Sequence, residues 1–193
     1  MHILKPNHTT DKQTIIDTLQ FLIDQPSAAE LPPCENCTIH VPDECSATCA
    51  NAQGSLSSEP TKFPIEEKVV PLVFELAASR VLQTCWSCEG HFTNEGKLWK
   101  LPQVVFYANS PIYPQLLLRH IQALQLKKVL AYEWQVVLSD FGQSWNFSYN
   151  IEPKLNGVSE PRLGALQQDL QTISKDLSHS LKALAKAMLD DVK

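Results

Sequence analysis

"YEWQVVLSDFGQSWNFSYNIE", Tyr132 to Glu152, reads as two strands joined around Phe141-Gly142. Trp145, Phe147, Tyr149 and Ile151 alternate with Asn146, Ser148 and Asn150, the period-2 pattern of a strand with one buried face. A hairpin makes the sheet antiparallel at this point. "KLPQVVFYA", Lys100 to Ala108, supplies a third, buried strand, so the sequence predicts a small, mostly antiparallel three-stranded sheet in an α+β fold.

Helices flank these strands. Thr10 with Gln13 three residues on is a capping-box pattern, followed by Ile15, Ile16, Leu19 and Leu22 on one face and a stop near Asp24, because Gln25 precedes Pro26. A second helix follows Pro64, with Glu66 and Glu67 in its first turn and Val69, Leu72, Val73, Leu76 and Arg80 at helical spacing; Pro71 predicts a kink or an early start. Ser110-Pro111 opens a third, carrying Leu116, Leu117, His120, Ile121 and Leu124. From Leu163 to Met188 apolar residues recur in steps of three and four, predicting one helix of about 30 residues and about 45 Å. Such a helix overhangs a small sheet, so its stripe is expected to cover that sheet and then pack on the first helix or on a protein partner, a homodimer being the simplest case.

The 193 residues suffice for a core without disulfides, and 44% hydrophobic with 19% charged residues is an ordinary globular composition. The start "MHILKPNHTTDKQTIID" has no signal-peptide pattern and no long apolar run follows, so the expectation is a cytoplasmic chain without a membrane segment. Reduced or metal-bound cysteines are then expected rather than disulfides. Net charge is −5, and no Lys or Arg stands between Lys12 and Lys62, where Asp17, Asp24, Glu30, Glu35, Asp43, Glu44 and Glu59 fall. Such a segment repels phosphates, which argues against nucleic acid as a partner.

Residues 1–63 are expected to form a helix plus a cysteine-rich metal-binding segment, and 64–193 the α+β domain. Gln25 to Pro64 is rich in Pro, Ser, Ala and Asn and lacks periodicity, so a force other than a hydrophobic core should organise it. "CENCTIHVPDECSATC" provides one: Cys34, Cys37, Cys45 and Cys49 have the spacing of a closed tetrahedral zinc site whose ligation energy folds the loop. An iron–sulfur cluster uses the same four thiolates and is the alternative, although Cys49 is followed by Ala50 and not by the proline of the bacterial ferredoxin run.

A second group, "TCWSCEGHF", Thr84 to Phe92, holds Cys85, Cys88 and His91 at three-residue steps. Two thiolates and an imidazole can hold a catalytic zinc with an open fourth position, or a structural one completed by His40, Glu89 or an upstream cysteine. Gly90 would let the chain turn back toward the thiolates, and Trp86, Trp99 and Phe92 are expected to pack around the site. Thioredoxin-like chemistry requires a helix starting on the motif, where Glu89-Gly90 stands instead. Zinc deaminases carry a proline before the first cysteine and an upstream His-x-Glu; Thr84 replaces the former and the latter is missing.

"SCEGH", Ser87 to His91, between a helix and the strand "LPQVVFY", resembles the Ser-Cys-x-Gly-His/Arg motif of the tRNA wybutosine-synthesis methyltransferase family. That resemblance implies an α/β domain in which Ser87, Cys88, Gly90 and His91 line a pocket for adenosylmethionine and tRNA, a ligand that the acidic N-terminal third does not suit. The chain also resembles bacterial cysteine-rich proteins with the CWSCEGH motif, which implies metal binding. The functional expectation is a zinc-binding accessory or regulatory protein with a structural metal. The alternative is a metal-dependent hydrolase or transferase using Cys85, Cys88 and His91, with Glu89 as acid or base.

Overall fold

The computed structural model describes residues 11–25, 65–139 and 147–192. In chain order these form α1 (Lys12–Ile23), α2 (Val70–Ala78), β1 (Leu82–Cys88), β2 (His91–Phe92), β3 (Leu98–Lys100), β4 (Gln103–Ala108), α3 (Ile112–Leu126), β5 (Glu133–Ser139), β6 (Phe147–Lys154), α4 (Leu163–Ser174) and α5 (Leu177–Val192). The fold is α+β. Among the described residues no helix is long and apolar enough to cross a membrane.

The hairpin strands β5 and β6 pair antiparallel from Glu133↔Lys154 to Ser139↔Ser148, and β4 pairs with the other side of β6. Among the described residues the sheet has four strands, not three, in the order β1-β4-β6-β5, because Leu82–Cys88 is itself a strand. "LQTCWSC" conceals that strand by breaking its own alternation: the register with β4 shifts between Thr84 and Trp86, a bulge that leaves Cys85 unpaired. The β2 and β3 segments form a separate two-stranded ribbon just beyond it.

Helices cover one face. Val104, Phe106, Ala108, Leu82, Trp134 and Ile151 from the sheet join Leu72, Leu76, Leu116, Leu117, Ile121, Leu166 and Leu170 in one core. Leu19 and Leu22 of α1 belong to it too, so the first helix is built into the α+β unit although the sequence groups it with the cysteine-rich segment. Each such leucine contributes about 1.5–3 kcal/mol by leaving water.

The expected single C-terminal helix is two. α4 ends at Ser174, Lys175 is extended, and Asp176 has φ of +55°, a left-handed conformation that aspartate tolerates better than most residues. The Glu75 carboxylate of α2 accepts the Ser178 N–H at 2.9 Å and the Ser178 hydroxyl, supplying α5 with the acceptor that a helix start needs. The break redirects the apolar stripe: Leu177, Leu181, Ala185 and Leu189 are buried as α5 packs against α1, α2 and α3. The stripe therefore finds its partners inside the chain.

One buried charge ties the layers together. Asp169, on the inner face of α4 and 2% exposed, accepts the Ala131 N–H at 2.8 Å, the Tyr132 N–H at 3.0 Å and the Trp134 indole N–H at 3.0 Å. An ionised carboxylate with three donors is a satisfied buried charge. Replacing Asp169 with Ala strands all three donors, and urea unfolding should show a loss of about 3 kcal/mol or more.

His120 of α3 is also buried, and its Nε2–H donates to the Ile173 carbonyl at 3.0 Å. Burial, with a smaller push from Lys127, holds its pKa below the usual histidine value of 6.5, against the Ile173 bond. The unfolded chain then binds the proton more tightly than the folded one, so stability falls as pH drops below about 6.5 and the loss ends below the folded-state value. Urea midpoints at about pH 7.5 and about pH 5.5 should differ less for His120→Gln than for the wild type.

Candidate metal centre

Pro71 has no backbone N–H to give, and the second helix begins at Val70 with that proline in its first turn. The sequence places Glu66 in the first helical turn; instead it lies before the helix, where its carbonyl accepts the Val69 and Val70 N–H groups. Its side chain is free to point at the end of β1. There the Glu66 Oε2 accepts the Glu89 N–H at 2.6 Å, while Glu89 Oε2 accepts the Lys68 N–H at 2.8 Å. Each glutamate thus binds the other segment's backbone, a reciprocal clamp between the α2 entry and the turn after β1.

The clamp leaves Glu66 Oε1 facing His91, whose Nε2 lies 2.8 Å away. Cys88, the last residue of β1, is 2% exposed and completes the group: one ligand atom each from Glu66, Cys88 and His91, all within 4.8 Å of one another. A hard carboxylate, a thiol and an imidazole in this arrangement form a donor set that could hold a metal ion. Glu66 and His91 are partly exposed, which gives an ion a route in. Burial raises the Cys88 thiol pKa above its ordinary value, Glu66 adds to the rise, and the Gly90 N–H at 3.4 Å from Sγ and the Lys100 ammonium oppose it.

Gly90 makes the turn from Cys88 to His91. It has φ of +87°, and an added Cβ would stand 2.5 Å from Leu163 Cδ1 and 3.0 Å from Pro102 Cδ. Helix α4 presses against the turn here, and its Gln167 donates to the Glu89 carbonyl at 3.1 Å.

Of the motif residues, the structure brings Cys88 and His91 together and holds Cys85 apart. In the bulge the Cys85 sulfur is turned against β4, donating to the Val105 carbonyl at 3.5 Å. Although the residue as a whole is exposed, that partial burial raises the thiol pKa and the Tyr107 hydroxyl partly offsets the rise. Glu89, the other sequence candidate, spends its carboxylate on Lys68. Cys34, Cys37, Cys45 and Cys49, with His40, lie outside the described residues. Trp99 adjoins the site, its ring 6.3 Å from that of His91, although it is 62% exposed; Phe92 is 52% exposed, and the Lys100 ammonium lies 4.5 Å from the centre of the Trp86 ring.

No protein-family model, curated protein or solved structure matches this chain. The centre therefore rests on its own geometry.

Gly90→Ala forces a Cβ into Leu163 and Pro102 at a left-handed position. The expected outcome is a loss of about 2–4 kcal/mol in urea unfolding together with weakened metal binding by calorimetry. Wild-type stability in this variant would show that α4 does not constrain the turn.

Proposed function

We propose that this chain is a zinc-binding accessory or regulatory protein in which Glu66, Cys88 and His91 hold one ion and Cys34, Cys37, Cys45 and Cys49 hold another. The observation that carries the first site is the convergence of three different ligand atoms within 4.8 Å on a scaffold that fixes two of them. Zinc bonds of about 2.0–2.3 Å fit between such donors once the Glu66–His91 contact opens to admit the ion. Glu66 Oε1 would be the ligating oxygen, because Oε2 is held by the Glu89 N–H, a supporting hydrogen bond of the kind that orients metal-bound carboxylates. A mixed carboxylate, thiolate and imidazole set does not suit an iron–sulfur cluster, which asks for thiolates; that alternative applies to the four upstream cysteines alone.

The ion's role in this reading is structural. It cross-links the entry of α2 to the β1 end and the β2–β3 ribbon. The metal-dependent hydrolase or transferase reading is favoured by one feature: three protein donors leave a fourth position beside two partly exposed ligands. Cys85, kept away by the bulge, would take no part in it.

Elemental analysis of the purified chain tests the proposal. Zinc should be present, and Glu66→Ala, Cys88→Ser and His91→Ala should each remove one ion per chain, whereas Cys85→Ser should remove none. Replacing Cys34, Cys37, Cys45 and Cys49 by Ser should leave one ion bound. Undiminished zinc in Cys88→Ser and His91→Ala would sink the assignment of this centre.

A further inference from the structure

Among the described residues β5 is the outermost strand beside β6, and its backbone shows which groups it offers. The Ser139 carbonyl accepts the Ser148 hydroxyl of β6, so Ser139 turns its polar backbone groups inward. Trp134 does the opposite: its carbonyl accepts Gln125 Nε2 of α3 at 3.2 Å. In an antiparallel strand a residue's N–H and C=O point to one side and successive residues alternate. Glu133, Gln135, Val137 and Ser139 therefore bond to β6, and Trp134, Val136 and Leu138 present theirs to the outside. Among the described residues, Gln125 alone meets that outward row.

Sheet edges are ordinarily blunted by a bulge, a proline or a charge. The opposite edge strand, β1, has its bulge at Cys85. β5 has none of these from Trp134 to Ser139: the stretch is uncharged, lacks proline and keeps unbroken register with β6 through all seven pairs. It also displays Leu138, 64% exposed. By the same alternation Leu138, Val136 and Trp134 share the helix-covered side of the sheet. Beside Trp134, between β5 and α3, lies a cleft of about 530 Å³ in which Leu118, Leu130 and Trp134 form an apolar floor within a polar rim that includes Lys128, Glu133 and Lys154.

We propose that a second copy of the chain pairs with β5 along this edge, antiparallel and about a two-fold axis at Val136. That axis sets Val136 against its own counterpart in a hydrogen-bonded pair and places Trp134 opposite Leu138 of the second copy. The exposed leucine of each chain then enters the cleft beside the other chain's Trp134. The occupant is a second copy and not a foreign extended peptide because this chain carries both halves of the contact, knob and cleft, each two residues from the axis. Such a contact is isologous and closes at two chains. The Trp134 carbonyl keeps Gln125 on one lone pair and accepts the incoming N–H on the other.

Light scattering on the full chain, with hydrogen exchange read at individual amides, tests this. The wild type should have twice the chain's mass, and its Val136 and Leu138 amides should become protected as concentration rises. Leu138→Lys alters an exposed side chain, should leave the circular dichroism spectrum unchanged, and should halve the mass and release both amides. A wild type that stays monomeric overturns the proposal. So does a dimer unaffected by Leu138→Lys, or one whose Val136 and Leu138 amides exchange at the monomer's rate.

Discussion

The carboxylate of Asp169 holds this molecule's layers in place. Its three donors all come from the short stretch Ala131 to Trp134, where the chain enters β5, so a single charge on α4 fixes the angle at which the sheet's outer strand begins. Leaving such a group unpaired would cost more than any one leucine contributes, which is why the contact behaves as a constraint. α4 then transmits the constraint across the molecule. Six residues before Asp169 it presents Leu163 to Gly90, and two residues before it presents Gln167 to the Glu89 carbonyl. The strut that fixes one edge of the sheet thus also presses on the turn that carries Cys88 and His91 at the other.

At that turn, two glutamates serve different ends despite similar surroundings. Both accept backbone N–H groups across the same gap, yet only Glu66 has an oxygen left over that faces Cys88 and His91. The clamp therefore decides which carboxylate oxygen faces the Cys88 and His91 side chains. Proline chemistry at position 71 contributes to this arrangement, since Pro71 belongs in the first turn of a helix and so keeps Glu66 in the segment before it.

The strongly periodic parts of the fold were legible in the sequence: the hairpin strands, the buried strand after Lys100 and the helix after Ser110. The four upstream cysteines lie outside the described residues. Strand β1 was hidden because its bulge shifts the side-chain alternation at Cys85. The interruption at Lys175-Asp176 was hidden because neither residue is a glycine or proline, and its cause, the Glu75 carboxylate, lies 103 residues upstream. Glu66 looked like an ordinary acid at a helix start. Asp169 left a signal that could have been read: it stands three residues after Leu166 and beside Leu170, on the stripe that must be buried, where an acid without a partner would be untenable.

The packing of α1 on α5 bears on how the chain is made. Gln25, just after α1, accepts a hydrogen bond from Lys182, 157 residues later. As the polypeptide emerges during synthesis, Leu19 and Leu22 wait for nearly the whole of the described fold to appear before their partners exist. A helix of 12 residues has little stability by itself in that interval. The core consequently closes last where it began first, and until then the early segment exposes apolar surface of the kind that chaperones engage.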